Sequence, residues 1–203
     1  IKSLLDGEIE TLHFDEAWLP HAAFHDFYGD YHAIGEGRPR CDTSMVFSTQ
    51  STHKLLAGIS QASQILVQDA NNNKLDTNLF NEAYLMHTST SPQYAIIASC
   101  DVAAAMMEAP GGTALVEESL DEALEFRRAM RKVDDEYGDD WWFKVWGPDD
   151  LTDEGLDHRD AWMLHADENW HGFGAIAEGF NLLDPIKATI LTPGLNVDGD
   201  FDE

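Results

Sequence analysis

A lysine preceded by hydroxyl and imidazole side chains is the sharpest chemical feature of the sequence. Ser51, Thr52 and His53 lead directly into Lys54, and two leucines follow. A lysine that is partly buried loses its proton more readily, and the free amine can form a Schiff base with a carbonyl group. The hydroxyls and the imidazole are donors that suit a phosphate. The segment therefore favours a lysine that holds a carbonyl compound next to a phosphate.

An acidic side chain upstream complements this segment. Asp15 follows the strand-like run Thr11–Phe14, and the active sites of open α/β sheets collect at the carboxyl ends of strands. A carboxylate there can pair with a protonated pyridine nitrogen. A Schiff-base lysine, an acid for a ring nitrogen and a phosphate cup are the parts that pyridoxal 5'-phosphate needs. A lysine at a helix start is also common on protein surfaces, so the residues alone leave a structural role open.

Short strands and longer helices must position these residues. The sequence predicts strands over Thr11–Phe14, Met45–Ser48 and Gln64–Val67, and helices over Lys54–Ser63, Asn78–Met86, Gln93–Glu108 and Leu115–Tyr137. Ser91 and Pro92 read as the N-cap and first residue of the third helix, which is apolar on nearly all sides and is therefore predicted to be buried. Further strands are predicted over Trp141–Trp146, Ala161–His165 and Ile186–Thr192. Strands mixed with crossover helices indicate an α/β layer structure.

Several blocks of sequence, in order, resemble the bacterial inducible arginine/lysine/ornithine decarboxylases. These are pyridoxal-phosphate enzymes of the aspartate-aminotransferase fold type. The blocks lie at residues 14–18, 49–57, 60–63, 80–84, 86–92, 170–173 and 183–187. The resemblance implies an α/β fold, namely part of a fold-type I large domain with a mixed, mostly parallel sheet and helices on both faces, followed by the beginning of an α+β C-terminal domain.

The resemblance also implies how the cofactor is held. Lys54 is the lysine that bonds to the cofactor, and Asp15 is the partner of the pyridine nitrogen. Ala17 lies against the cofactor ring, and Trp18 packs nearby. With the ring nitrogen kept protonated by Asp15, the cofactor can accept the electrons that a departing carboxylate leaves behind.

The phosphate contacts implied by the resemblance come from two places. Ser51 and His53 hold the phosphate within one subunit, and the loop Ser89, Thr90 and Ser91 reaches the phosphate of a neighbouring subunit. The protein is therefore expected to be a homodimer at least, and a decamer by analogy with relatives that stack dimers into rings. A histidine beside the lysine, His53, is also a candidate for returning a proton to the substrate.

The implied reaction is decarboxylation of a basic amino acid to the corresponding amine and CO₂. Glu168 falls where arginine-type members carry an acid near the distal cation of the substrate, which ranks arginine slightly before lysine, with ornithine third. A guanidinium can donate two parallel hydrogen bonds to one carboxylate, whereas an ammonium cannot. Two alternatives stay open: another fold-type I enzyme such as an aminotransferase or lyase, and an inactive piece that acts only as an assembly surface.

Complete members of this family are several times longer, so the sequence reads as a piece of a larger protein. Residues 1–138 are expected to be the second half of the cofactor-binding large domain, and residues 139–203 the start of the smaller C-terminal domain. A wing domain, the aromatic or histidine that stacks on the ring and much of the phosphate loop would then lie upstream. The predicted elements change after Gly138 from a long helix to short strands, so the domain boundary is predicted there.

Composition limits the partners and the compartment. The formal charge is −26, which argues against nucleic acid or an anionic membrane surface as a partner, because both need a basic face. The apolar runs are shorter than a membrane span requires. Two cysteines without close spacing favour buried thiols in a reducing cytoplasm. His21 and His25, four residues apart, belong to no ligand motif, so no metal site is predicted.

Overall fold

A computed structural model describes residues 1–148 and 151–192 of the chain. Its contacts divide the chain into two compact units, Ile1–Val116 and a second unit that begins at Glu117. This division falls earlier than the domain boundary predicted after residue 138, which stays a prediction. Residues 149–150 and 193–203 of the predicted smaller domain lie outside the described residues.

The first unit contains a three-stranded mixed sheet. Its strands β1 (Thr11–Asp15), β2 (Met45–Gln50) and β3 (Gln64–Gln68) lie in the order β1-β2-β3. β1 and β2 are parallel, whereas β2 and β3 are antiparallel. The long connection from β1 allows a crossover to a parallel neighbour, while the shorter connection after β2 turns the chain back. The mixed α/β character predicted from the sequence is confirmed, but a mostly parallel sheet is not seen in the described strands.

One face of the sheet is buried. Along β2, Val46, Ser48 and Gln50 are buried and alternate with half-buried residues, as expected when successive side chains point to opposite faces. The small apolar core on this face is formed by Leu12, Ala33, Cys41 and Val46, with Phe14 and Ile34 packed against it. The opposite face carries His13 and Asp15, so the predicted acid lies on the more accessible side of the sheet.

The helix predicted over Lys54–Ser63 is wrong in length. The structure has a one-turn helix, α2 (Thr52–Leu55), after α1 (Lys2–Leu5) and two 3-10 helices, Pro20–Phe24 and Asp26–Tyr28. Ala57 and Gln61 both have positive φ, at 58° and 76°, and a residue in this conformation cannot continue a right-handed helix. The chain between them forms a loop that leads into β3.

Two helices follow the sheet in the first unit. α3 (Thr77–His87) is capped by Asp76, whose Oδ1 accepts from the amides of Asn78 and Leu79. α4 (Tyr94–Met107) has Gln93 as its N-cap, so the cap predicted at Ser91 lies two residues too early. The prediction that this helix is buried is wrong for the described contacts: Ala103 is its one buried residue, and large apolar side chains such as Tyr94 are exposed.

A long helix, α5 (Gly111–Tyr137), leads from the first unit into the second. It begins four residues before the predicted Leu115, because Gly111 and Gly112 belong to it. Leu120 and Leu124 are buried, as predicted for its inner face. A 3-10 helix, Gly138–Asp140, follows it.

The described residues of the second unit after α5 contain little regular structure. A two-residue ladder joins β4 (Lys144–Val145) to β5 (Ile190–Leu191), and α6 (Leu151–Glu154) lies between them in the chain. The longer strands predicted over Trp141–Trp146 and Ile186–Thr192 are therefore much shorter. The strand predicted over Ala161–His165 is wrong: Arg159–Trp162 is a 3-10 helix whose buried Trp162 donates from Nε1 to the Gly155 carbonyl at 2.9 Å. No helix in the described ranges is long and apolar enough to cross a membrane.

Candidate cofactor site

The two parallel strands bring the predicted site residues to one edge of the sheet. Asp15 is the last residue of β1 and is in register with Thr49, one residue before the end of β2. Ser51 follows β2 directly, and α2 then carries His53 and Lys54. Since the carboxyl ends of parallel strands meet at the same edge, strand register places the acid and the lysine segment side by side.

Asp15 is exposed and organises the turn that follows it. Its Oδ1 accepts a hydrogen bond from the Ala17 amide at 3.0 Å, an arrangement in which an aspartate side chain mimics a backbone turn. This bond orients the carboxylate and the next residues together. Among the described contacts only Oδ1 is engaged, so Oδ2 is available to an outside donor.

Lys54 lies beside the aromatic residue that follows the turn. Its Nζ is 4.8 Å from the centre of the Trp18 ring, within the range of a cation–π contact. Trp18 is 60% exposed, and Lys54 is half-buried. The structure thus brings together Asp15, Ala17, Trp18 and Lys54, four residues that the sequence assigned to one site.

His53 is fixed by the loop that precedes β3. Its backbone amide donates to the Ala62 carbonyl at 3.2 Å, and its Nδ1 lies 2.7 Å from the same oxygen. A carbonyl oxygen can only accept, so Nδ1 carries the proton and Nε2 is the atom that remains for other chemistry. Nε2 can donate to an anion only when the ring is the imidazolium.

The one-turn helix is anchored from α4. The Thr52 hydroxyl lies 3.7 Å from the Cys100 Sγ, and the Ile59 amide donates to the Ser99 hydroxyl at 3.0 Å. Gly58 is also part of this anchor, since a Cβ there would lie 3.1 Å from Thr52 atoms. The loop after α2 is therefore closely packed against the start of the helix that carries Lys54.

Comparison with known proteins decides the family. The family model described as "Orn/Lys/Arg decarboxylase, major domain" matches residues 1–203. The chain belongs to this decarboxylase family. The expectation drawn from the sequence blocks around Asp15 and Lys54 is thereby confirmed.

The relatives of this family member are much longer than the chain. It is 52% identical over 206 residues to a lysine decarboxylase of Pseudomonas aeruginosa, with all of the chain and 27% of that protein covered. It is 41% identical to the biodegradative arginine decarboxylase of Escherichia coli, of which 29% is covered. The chain therefore spans about a quarter of the length of the curated relatives it matches.

Solved structures give the same result for the fold. Lysine decarboxylase A from Pseudomonas aeruginosa superposes with a TM-score of 0.85 at 52% identity, over all of this chain and 27% of that one. The lysine decarboxylase of Francisella novicida gives a TM-score of 0.80 at 42% identity, over 97% of this chain and 26% of that one. The chain is thus similar in fold to a part of these lysine decarboxylases.

A buried carboxylate, Glu16, is the feature that the sequence reasoning missed. Glu16 follows Asp15 but is 5% exposed, and it accepts hydrogen bonds from the Ala33 amide at 2.6 Å, the Ser48 hydroxyl at 2.6 Å and the Gln50 Nε2 at 2.8 Å. Strand alternation could have revealed it, because Glu16 continues the inward face of Leu12 and Phe14. An acid in a core position requires donors around it.

The loop Ser89–Ser91 is not joined to the other site residues. It follows α3, is exposed, and its one described side-chain bond is local: the Ser91 amide donates to the Ser89 hydroxyl at 3.1 Å. No described contact links this loop to Lys54 or Asp15. Its role toward the phosphate of a neighbouring subunit, including that of Thr90, stays a prediction.

Glu168 lies in the second unit, in an exposed loop. Its Oε2 accepts from the Trp170 Nε1 at 2.8 Å, and its amide donates to the His165 carbonyl at 3.2 Å. Nearby, Glu178 holds the same loop: its Oε2 accepts from the Ala166 amide at 3.0 Å, and its Oε1 lies 2.5 Å from His165 Nδ1. The hydrogen bond that His165 donates to the Glu178 carboxylate raises the pKa of His165. The substrate role of Glu168 stays a prediction.

Proposed function

We propose that the protein containing this chain decarboxylates a basic amino acid with pyridoxal 5'-phosphate as its cofactor. The observation that carries the proposal is the parallel pairing of β1 and β2, which brings Asp15 and the Ser51–Lys54 segment to one sheet edge. An acid for the ring nitrogen beside a lysine for the aldehyde is the arrangement that this cofactor needs. Membership of a decarboxylase family supports the assignment.

The residues present fit such a cofactor in their chemistry. Asp15 is exposed and keeps one carboxylate oxygen available, as a partner of a pyridinium nitrogen must. Within the described residues no carboxylate forms an ion pair with Lys54, whose amine faces the Trp18 ring. No carboxylate therefore occupies the amine, which leaves its Nζ accessible to the aldehyde of a bound cofactor.

Some of these residues would bind the cofactor, and Asp15 would keep its ring nitrogen protonated. When bound, the cofactor supplies an electron sink for the bond that releases CO₂. Asp15 would hold the proton on the ring nitrogen, and this charge stabilises the electrons that move toward the ring. Ser51 would donate its hydroxyl to the phosphate, and His53 would donate from Nε2 in the imidazolium form. Trp18 would shield the Lys54 amine from solvent on one side.

Decarboxylation also requires a proton at the substrate α-carbon after CO₂ has left. Two groups of this chain would be candidates for supplying it, the Nζ of Lys54 and the Nε2 of His53. Lys54 is the stronger candidate because, as the residue that would hold the cofactor, it would lie next to that carbon. His53 is oriented by its bond to the Ala62 carbonyl, which suits a fixed donor to an anion better than a group that must move to the substrate.

The substrate is a basic amino acid. The relative with 52% identity is named a lysine decarboxylase, and one with 41% identity is named an arginine decarboxylase. These names favour lysine, whereas Glu168 favours arginine through a bidentate carboxylate–guanidinium pair. Both substrates therefore belong in every assay, with ornithine as the third.

The fold and assembly follow from the same proposal. The first unit would belong to a fold-type I large domain, whose remaining strands lie in the rest of the protein. Ser89, Thr90 and Ser91 would complete the phosphate site of a second copy, so we expect a homodimer at least, and a decamer if dimers stack. The exposed position of this loop supports a role outside its own subunit.

Borohydride reduction of the whole protein with its cofactor tests the proposal. Reduction fixes a Schiff base as a stable amine, and peptide mapping should find the cofactor on Lys54. Label on Lys74 or Lys187 would contradict the assignment of the lysine. In parallel, lysine, arginine and ornithine are supplied and the products are measured. CO₂ with the matching diamine or agmatine supports a decarboxylase, whereas a keto acid would indicate an aminotransferase.

A further inference from the structure

The buried face behind the site carries a hydrogen-bond network that links all three strands of the first unit. Glu16 accepts from Ser48 and Gln50 on β2, at 2.6 and 2.8 Å. Gln50 in turn accepts from Gln64 at 2.7 Å through its Oε1, and these two residues are register partners on β2 and β3. Glu16 also accepts from the amide of Ala33, in the connection between β1 and β2, at 2.6 Å.

This network lies at the end of the strands that carry the chemistry. Glu16 is the next residue after Asp15, and Gln50 is the residue before Ser51. The Glu16 amide also donates to the Thr49 carbonyl at 2.9 Å, extending the β1–β2 pairing past Asp15. A change in the Glu16 side chain would therefore move the two chain segments that hold the acid and the lysine relative to each other.

Burying the Glu16 carboxylate between the strands carries an unfavourable desolvation free energy. Glu16 is 5% exposed, its donors are neutral, and no lysine or arginine in the described residues forms an ion pair with it. A buried charge loses the hydration that it has in water, and a well-packed apolar side chain often stabilises a fold as well or better. What a carboxylate adds is two oxygens that fix several donors in set directions.

We propose that Glu16 is a positioning residue for the cofactor site: its side chain sets the separation between Asp15 and the Ser51–Lys54 segment. The inference rests on the proposed function, since it assigns to that separation a role in holding the cofactor. Small displacements of reacting groups have large effects, and a misplacement of about 1 Å can lower the rate about 10²-fold.

The replacement Glu16→Gln separates hydrogen-bond geometry from charge. The glutamine oxygen can still accept from the Ala33 amide, while its NH₂ group can donate to the Ser48 hydroxyl, which accepts equally well. Gln50 can rotate its amide to present an oxygen, and Gln64 can rotate in the same way. The network can thus reverse its direction and keep its geometry, so the amide should rescue function.

The test compares Glu16→Ala, Glu16→Gln and Val46→Ala in the whole protein. Val46 is 1% exposed on the same face of β2, so its replacement destabilises the sheet without touching the network. The readouts are the cofactor dissociation constant, kcat, and the thermal unfolding midpoint without cofactor. We expect Glu16→Ala to weaken cofactor binding roughly tenfold and to lower kcat about 10²-fold. Val46→Ala and Glu16→Gln should each change both values less than about threefold.

The outcomes separate this inference from the proposed function. If the wild-type protein does not bind the cofactor at Lys54, the proposed function is overturned, and the role of Glu16 with it. If the wild type binds but Glu16→Ala matches Val46→Ala at equal loss of stability, Glu16 is structural and the inference is wrong. A Glu16→Gln variant as impaired as Glu16→Ala also overturns it. Should Glu16→Ala fail to fold, Gln50→Leu serves in its place. We expect this variant to lose cofactor affinity several-fold, and an unchanged affinity would overturn the inference.

Discussion

Two acidic groups were assigned to the site from the sequence, Asp15 to the cofactor and Glu168 to the substrate, and they are held in different ways. Asp15 ends a strand whose register with β2 fixes its position, and one hydrogen bond to the Ala17 amide orients its carboxylate. Glu168 lies in a loop of the second unit that side chains hold together, through Trp170 and the His165–Glu178 pair. Backbone hydrogen bonds between paired strands fix the position of a residue in a sheet. The position of a residue in a loop depends on a few side-chain contacts. The strand-end site should therefore be the less tolerant of the two.

Replacement of Asp15 by alanine tests the strand end and should have the largest effect. Without the carboxylate the ring nitrogen of the cofactor would lose its proton, and turnover should fall about 10²–10⁴-fold. Asp101→Asn, which removes a charge from an exposed position of α4, is the control and should leave turnover unchanged. Near-normal activity of Asp15→Ala would show that the electron sink does not depend on this residue.

The contrast between the regions also explains which parts of the structure could be predicted. The strands β1 and β2 were predicted nearly to their ends, because alternation of buried and exposed side chains is a local signal. Asp15 follows the first of these strands and the Ser51–Lys54 segment follows the second, so both could be placed at strand ends from the sequence. The length of α2 could not be predicted, because the positive φ of Ala57 is imposed by the packing of the following loop.

Burial was harder to predict than secondary structure. The apolar composition of α4 indicated a buried helix, but Tyr94 and Ile97 are exposed in the chain as described, since sequence composition does not say which neighbour covers a face. Glu16 was missed for the opposite reason, because a carboxylate is normally expected at the surface. In the second unit, short strands such as β4 depend on contacts distant in sequence, and local patterns carry little information about them.

Replacement of Glu168 by glutamine tests the loop region and should have a smaller effect. If the carboxylate pairs with the distal cation of the substrate, KM should rise several-fold for arginine and less for lysine and ornithine, because only a guanidinium forms the bidentate pair. kcat should change little, since this interaction is present before and during the reaction. Equal increases of KM for all three substrates would remove Glu168 from the specificity role.

Self-association of the protein should change with pH and salt, because the two regions differ in their charge. From Val133 onward the sequence has 19 acidic residues against three basic ones, so repulsion between copies is expected to be concentrated there. Association should strengthen from neutral pH toward about pH 5 as histidines and carboxylates bind protons. Added salt should act in the same direction by screening. Sedimentation velocity at pH 5, 6.5 and 8, at two salt concentrations, measures this; an unchanged distribution would exclude control by net charge.

The smallest expected effect concerns the loop that carries Glu168. The hydrogen bond that His165 donates to Glu178 raises the pKa of His165 above its ordinary 6.5. Its contribution to loop stability is therefore present below pH 6.5 and is lost as the pH rises through the raised value. The bond from the Ala166 amide, together with His165, lowers the pKa of Glu178 below 4.5, so its contribution is present above pH 4.5 and is lost as the pH falls through the lowered value. The loop should therefore be most stable between these limits.

Hydrogen exchange at the Ala166 amide measures this window, because that amide donates to Glu178. After correction for the intrinsic rate, protection should be higher at pH 5.5 than at pH 8, by a few-fold at most since the pair is near the surface. Glu178→Gln keeps an acceptor for the amide but removes the charge, so its protection should no longer depend on pH in this range. The Ala17 amide donates to the Asp15 carboxylate, outside the His165–Glu178 pair, and serves as the internal reference. If Ala166 and Ala17 showed the same pH dependence, the loop would be held by something other than the His165–Glu178 pair.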